Sequence, residues 1–188
     1  MQKISIQRIV AKLVLCGSYG VGKTSIRRNY MGETFIQDHL STLGADFAVK
    51  RVDVKPQVVL ELQIWDLAGQ PGFESLRRRF FKGSAAALMV FDLTRESTFE
   101  DLDSWFEQLW SSQKSKDIPI AIIGNKIDLA DAAHEEKVKN YIKNLKEEHG
   151  LENTYLSYYT TSAKTGENIQ TVFAEISETL YHKLKDTV

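Results

Sequence analysis

Residues 9–16, Ile9-Val10-Ala11-Lys12-Leu13-Val14-Leu15-Cys16, form an almost wholly apolar run. A strand of that composition belongs in the middle of a sheet, covered on both faces. Residues 25–31 follow with helix-compatible spacing, and Gly32 stands where such a helix would stop. Residues 47–54 carry charge and read as an edge strand, with Lys55-Pro56-Gln57 as a turn. In residues 58–65, Val58, Leu60, Leu62 and Ile64 share one face, and Glu61 and Gln63 take the other. Residues 85–91 and 118–123 are short apolar runs of strand length, and residues 155–160 predict the last strand. Helical spacing fills the gaps. Ser97-Thr98-Phe99-Glu100 has the form of a capping box opening a helix that buries Phe99, Leu102, Phe106 and Leu109. A helix near 134–148 buries Val138, Tyr141, Ile142 and Leu145, and one near 168–183 buries Ile169, Val172, Phe173, Ile176 and Leu180.

This alternation predicts an α/β protein: a six-stranded, mostly parallel sheet with one antiparallel edge strand and about five helices on both faces. In such a sheet ligands bind at the carboxyl ends of the strands. The polar connection 33–46 is long for a compact domain, and such segments are usually functional.

At 188 residues the chain is expected to be one domain, 1–188, with its core at about 8–183. A 43% apolar content suffices for one core, and a net charge of -1 gives no bulk case for nucleic acid or an anionic surface. Cys16, the single cysteine, reads as a buried core residue and excludes a disulfide framework within the chain, which fits a cytoplasmic compartment. No run reaches the roughly 18 apolar residues of a membrane span, so no transmembrane segment is expected. Residues 1–6 lack a signal-peptide core, position 2 is Gln rather than the Gly of N-myristoylation, and residues 182–188 contain no cysteine for prenylation. The histidines at 39, 134, 149 and 182 show no metal spacing.

Gly17-Ser18-Tyr19-Gly20-Val21-Gly22-Lys23-Thr24 lies between the first strand and the first helix. This is the pattern G-x-x-x-x-G-K-[ST] in its required context, and it predicts a P-loop NTPase fold. The glycines let backbone N–H groups turn inward onto an anion, and the helix start adds further free N–H groups. Lys23 supplies positive charge for the β- and γ-phosphates, and the Thr24 hydroxyl is placed for Mg²⁺. Asn125-Lys126-Ile127-Asp128 selects the base. A buried carboxylate at Asp128 accepts only, which suits the N1–H and 2-amino donors of guanine and not adenine. Thr161-Ser162-Ala163-Lys164 lies downstream at another strand end.

With these motifs in order, the chain resembles a small GTPase of the Ras superfamily, nearest the Rab-like branch, over about residues 8–183. Thr42-Leu43-Gly44-Ala45-Asp46-Phe47 is similar to the Rab pattern T-I-G-V-D-F. The resemblance implies a monomeric molecular switch of signalling or membrane traffic that binds GTP or GDP with Mg²⁺ and hydrolyses GTP slowly without an activating protein. It implies that Ser18, Tyr19, Gly20, Val21, Gly22, Lys23, Thr24 and Ser25 surround the phosphates. Thr24, Thr42 and Asp66 would hold Mg²⁺. Gly69 would touch the γ-phosphate and Gln70 would orient the attacking water, with Lys23 and Thr42 completing the catalytic set. Phe35 would stack across guanine, Lys126 would lie along it, and the Ala163 N–H would bond its carbonyl, within Ser162-Ala163-Lys164. Switch I (about 35–47) and switch II (about 66–81) would present the surface for effectors, exchange factors and activating proteins, with Phe47, Trp65 and Phe81 as the aromatic triad that reports nucleotide state.

Four features depart from that pattern. Tyr19 stands where the family has a small residue, in the path of an arginine finger supplied by an activator. Pro71 follows Gln70 in place of an acidic residue and biases its backbone toward extended conformations. Arg77-Arg78-Arg79 reads as a solvated helix face. The missing prenylation cysteine leaves two readings, a lipidated C-terminus removed from this chain or a protein never anchored by a prenyl group; an archaeal relative of these eukaryotic families would fit the second. Tyr19 and Pro71 favour an alternative, a guanine-nucleotide-binding module with little hydrolysis; intact Gln70, Thr42 and Asp66 oppose it. A P-loop kinase is disfavoured by Asp128.

Overall fold

The computed structural model describes residues 6–35, 42, 44–115, 117–131 and 134–187. The readings made for residues 1–5, for 36–41 and 43 (His39 among them) and for Val188 lie outside the described residues.

The strands are β1 (Gln7–Cys16), β2 (Ala45–Lys55), β3 (Val58–Leu67), β4 (Ala86–Asp92), β5 (Ile120–Asn125) and β6 (Leu156–Thr161). They form one sheet in the order β2-β3-β1-β4-β5-β6. Among these strands β2 and β3 pair antiparallel; β1 with β3, β1 with β4, β4 with β5 and β5 with β6 are parallel. The expected sheet, with its charged antiparallel edge, is therefore the one found.

The helices are α1 (Lys23–Met31), α2 (Glu74–Phe81), α3 (Ser97–Glu100), α4 (Leu102–Ser111), α5 (Glu135–His149) and α6 (Ile169–Leu184), α3 being a single turn. They divide between two faces because alternate strand residues do. Leu13, Leu15, Leu60, Leu62 and Ile64 pack with Ile26 and Tyr30 of α1 and with Val172, Phe173, Ile176 and Leu180 of α6. Val14, Cys16, Met89 and Ile122 pack with Phe81 of α2, Trp105, Phe106 and Leu109 of α4, and Val138 and Leu145 of α5. Each β4 position is buried, as a strand covered on both sides requires. Tyr30 and Phe173 stack with centroids 3.7 Å apart and so join α1 to α6. Glu61 does face away from Leu60 and Leu62, yet it is only 7% exposed, because Arg8 and Arg51 both pair with it.

Three local expectations need correction. Ser97 does not cap a helix: Glu96 precedes α3 and no side chain caps it. Instead the Thr98 hydroxyl turns back to the end of β4, accepting from the Asp92 N–H at 2.9 Å and donating to the Arg95 carbonyl at 2.7 Å. Phe99, Tyr141 and Ile142 are half-buried rather than core, and on α4 Trp105 and Trp110 join the expected Leu102, Phe106 and Leu109 in the buried positions. Arg77 is not solvated. It is 4% exposed, its guanidinium lies 4.4 Å from the Trp105 ring centroid, and it donates to Gln108 Oε1 and to the Gln70 carbonyl. Arg78 and Arg79 are exposed as expected.

The hairpin turn carries strain that can be measured. Pro56 has its φ fixed near −65° by its ring, and Gln57 then takes φ 66°. A positive φ at the third position of a turn with proline before it is a type II requirement, met best by glycine. The Asp53/Lys55 register shift marks where the strands adjust. Gln57→Gly is expected to stabilise the protein by about 0.5–1 kcal/mol, read as a rise of roughly 1–4 °C in Tm.

Candidate functional site

The motifs meet at the carboxyl ends of the parallel strands, as the topology dictates. The P-loop leaves β1, Asp66 and Gly69 leave β3, Asp92 ends β4, Asn125 ends β5, and Ser162-Ala163-Lys164 follows β6.

Asn125 binds these loops together. It is 1% exposed; its Nδ2 donates to the Val21 carbonyl at 2.8 Å, and its Oδ1 accepts from Thr161 Oγ1 and from the Ala163 N–H, each at 3.1 Å. Gly22 is where the P-loop touches it. A Cβ added there would stand 2.2 Å from Asn125 Nδ2, and the backbone holds φ 100°, so only glycine fits. A guanine carbonyl at the Ala163 N–H would share that donor with Asn125.

A cavity of about 260 Å³ opens beside Asn125, lined by Gly22, Ser25, Phe35, Asn125, Lys126, Asp128, Leu129, Ala163 and Lys164. Eight of these nine were singled out from the sequence, and the structure brings them together. Leu129 was missed; its signal was an apolar residue 63% exposed on a turn, visible only once the fold placed it at the rim. Asp128 is not buried as expected: it stands exposed at the rim, with Ser162 Oγ donating to its Oδ1 at 2.6 Å. Lys126 takes φ 68° and reaches back to Asp92 Oδ2 at 2.7 Å.

At the other end of the P-loop, Lys23 is 6% exposed and donates to the carbonyls of Gly17 at 2.8 Å and Ser18 at 2.9 Å. Burial lowers its pKa to about 8, against the opposing charge of Asp66. The Thr24 hydroxyl donates to Asp66 Oδ2 and lies 3.1 Å from the Thr42 hydroxyl. Asp66 is fully buried, and among the described residues its Oδ1 has no hydrogen-bond partner. A buried carboxylate with an orphaned oxygen, together with two hydroxyls, suits a hard divalent cation that takes oxygen ligands. Thr24, Thr42 and Asp66 therefore fit Mg²⁺. Burial pushes the Asp66 carboxyl above its usual range, and the Thr24 bond and the Lys23 charge oppose that. Among the described residues no cluster of three or more His, Cys, Asp or Glu is placed to hold a metal.

Gly69 lies against the P-loop. A Cβ there would meet the Ser18 and Tyr19 backbone at 2.5–2.6 Å. Gln70 is half-buried, and its carbonyl accepts from Arg77 Nη1 at 2.9 Å. Arg77 in turn stacks on Trp105, whose indole N–H donates to Ser18 Oγ at 3.3 Å. Ser18 donates to Asp101 Oδ2 at 2.5 Å. These links between α2, α4 and the P-loop were missed, since they join residues 28 to 87 positions apart with no local pattern. Tyr19 is 44% exposed.

Phe47 and Trp65 are in contact with centroids 4.9 Å apart, but the third ring is Phe80 at 5.3 Å from Trp65, not Phe81. The helical repeat of α2 turns Phe80 to the outer side and Phe81, fully buried, into the core. Among the described residues no helix is long and apolar enough to cross a membrane.

Comparison with known proteins agrees with this geometry. The Ras family model matches residues 12–182. Ras-related protein Rab-7a of Paramecium octaurelia is 34% identical over 180 residues, covering 93% of this chain and 83% of that protein. The Ypt/Rab-type GTPase YPT7 of Saccharomyces cerevisiae is 32% identical over 179 residues, 92% of this chain and 82% of that protein. Ras-related protein RABG3e of Arabidopsis thaliana is 34% identical over 176 residues, 90% and 81% respectively. With the phosphate loop, the oxygen-donor site and the base cavity assembled at one edge of the sheet, the chain belongs to the Ras family, on its Rab-like branch: it is a GTP-binding switch that takes GTP or GDP with Mg²⁺ and hydrolyses GTP.

Proposed function

We propose that this protein acts as a monomeric switch whose surface around residues 35–47 and 66–81 is read by effectors, exchange factors and activating proteins according to the nucleotide bound, and that its own hydrolysis is slow. The observation that carries the reading is the meeting of Thr24, Thr42 and Asp66, which ties a residue of the first switch to the P-loop and to the end of β3. A segment held at that point by the γ-phosphate and released by its loss is a two-state element. The exposed Phe47, packed on Trp65, lies on the same side and supports a partner surface there.

The residues take these roles in the proposal. Lys23 and the inward N–H groups of 18–25 neutralise and orient the phosphates. Gln70 holds the attacking water, with its backbone steadied by the bond from Arg77 to its carbonyl. The water oxygen bonds to the γ-phosphorus as the bond to the β–γ bridging oxygen breaks, and the water's proton ends on the released phosphate. Mg²⁺, when bound, supplies charge neutralisation at the phosphate oxygens. Asp128, Lys126 and Phe35 line the base cavity and select guanine. Tyr19, exposed at the crest, obstructs an inserted arginine and favours slow cycling.

Single-turnover hydrolysis tests this. Protein loaded with GTP and Mg²⁺ is followed by chromatography over hours, beside Gln70→Leu. Wild type is expected to form GDP, and the variant at least about 10²-fold more slowly. Equal rates would remove Gln70 from the water step, and GTP kept intact by both would leave a binding module that switches only by exchange.

A further inference from the structure

Asp92 is the last residue of β4 and is 1% exposed, and none of the roles above uses it. Its carboxylate is fully engaged. Oδ1 accepts from the Thr94 backbone N–H at 3.0 Å and from the Thr94 hydroxyl at 2.7 Å. Oδ2 pairs with the Lys126 ammonium at 2.7 Å and accepts from Arg95 Nε at 3.0 Å. Arg95 then reaches further: its Nη2 donates to the Tyr19 carbonyl at 2.8 Å, across 76 positions of sequence. One buried carboxylate thus holds, through two cations, a wall of the base cavity and the crest of the P-loop.

The second arm matters because of peptide geometry. The carbonyls of Gly17 and Ser18 turn to Lys23, whereas that of Tyr19 turns to Arg95 on the solvent side. Across a trans peptide the C=O and the following N–H point in opposite directions. Drawing the Tyr19 carbonyl outward therefore directs the Gly20 N–H away from Arg95, into the loop where the phosphates lie. The Arg95 guanidinium is close enough to enforce this, since a Cβ on Gly20 would stand 3.5 Å from Nη2.

We propose that Asp92 and Arg95 form a clasp that fixes the Tyr19–Gly20 peptide plane and so presents the Gly20 N–H to the nucleotide's outer phosphates, while the same carboxylate sets Lys126 beside the base. The proposal rests on the phosphate-binding reading of the P-loop. Both residues position others; neither touches the nucleotide in this scheme. Arginine suits the clasp because its rigid fork donates from two separate nitrogens, Nε at 3.0 Å and Nη2 at 2.8 Å, whereas a lysine's donors all sit on one atom that would have to reach both acceptors.

The test compares GDP with GMP. Affinities of both are measured by displacement of a fluorescent guanine nucleotide from wild type, Arg95→Ala, Arg95→Lys and Asp92→Asn. Arg95→Ala is expected to lose roughly tenfold for GDP and little for GMP, because only the outer phosphate loses its donor. Arg95→Lys should fail to restore GDP. Asp92→Asn should weaken both ligands, since it frees Lys126 as well. In the GDP complex the Gly20 amide proton resonance is expected to move upfield in Arg95→Ala. Arg95 is exposed enough that its removal leaves the fold intact, so the alanine result stands even where Asp92→Asn folds poorly. Equal losses for GDP and GMP, or an unmoved Gly20 resonance, would overturn the clasp with the P-loop reading untouched. A wild type that binds neither GDP nor GMP would overturn the P-loop reading and the clasp together.

Discussion

Asp128→Asn is expected to weaken GDP binding by roughly 10⁴-fold and to create a preference for xanthine nucleotides. The carboxylate offers acceptors only, and its Oδ1 is oriented by the Ser162 hydroxyl at 2.6 Å. Two guanine donors on one edge match what remains. An asparagine at the same place presents one acceptor and one NH₂ donor. The guanine 2-amino group then faces a donor, and both are left unpaired in the closed complex. Xanthine carries a carbonyl at that carbon, so the same NH₂ finds an acceptor. Because Asp128 stands exposed at the rim, the substitution should leave stability within about 0.5 kcal/mol. Displacement of a fluorescent guanine nucleotide by GDP and by xanthosine diphosphate decides the matter. A variant that still prefers GDP would take Asp128 out of base recognition.

Gly22→Ala should be among the most damaging small changes in the protein. The new Cβ would lie 2.2 Å from Asn125 Nδ2, and alanine is strained at φ 100°. Overpacking, a positive φ on a non-glycine residue and the disturbed Asn125 bonds each contribute, for a combined loss of about 4 kcal/mol. For a chain of this length that is a fall of roughly 8–16 °C in Tm. Asn125→Ala alone leaves the Val21 carbonyl and the Ala163 N–H without their partner and costs about 2–3 kcal/mol. The double variant should lose less than the sum, by about 1 kcal/mol or more, because the group that the new methyl would strike is gone. Strict additivity would show that the two residues do not act on one contact.

What the sequence revealed follows from how local each signal is. The P-loop, the base motif and the strands are contiguous patterns, and each lies where the pattern put it. Most of the cavity was legible for the same reason: apart from Phe35 and Leu129, its residues come from three short stretches that the topology was bound to bring to one end of the sheet. Arg77 was misread because a run of three arginines carries no sign of which one meets a tryptophan on another helix. Phe80 and Phe81 are adjacent, so a helix must send them to different sides, and the register that decides between them comes from packing. Thr98 was read as part of a helix cap when its hydroxyl serves the end of β4, a choice made by the tertiary turn at Leu93-Thr94-Arg95. Asp92 and Arg95 left no trace in sequence, because a carboxylate and a guanidinium three residues apart are ordinary anywhere on a surface.

Cys16 gives the molecule an experimental advantage. It is the chain's single cysteine, it is fully buried beneath the P-loop, and burial pushes its thiol up to about 12. A thiolate-seeking label therefore has no native target in the folded protein. One cysteine placed by mutation at the exposed Asp46 and another at the exposed Arg79 would accept a donor and an acceptor dye with no background. The distance between the two switch segments could then be followed in single molecules as GTP turns to GDP, in a protein otherwise unaltered.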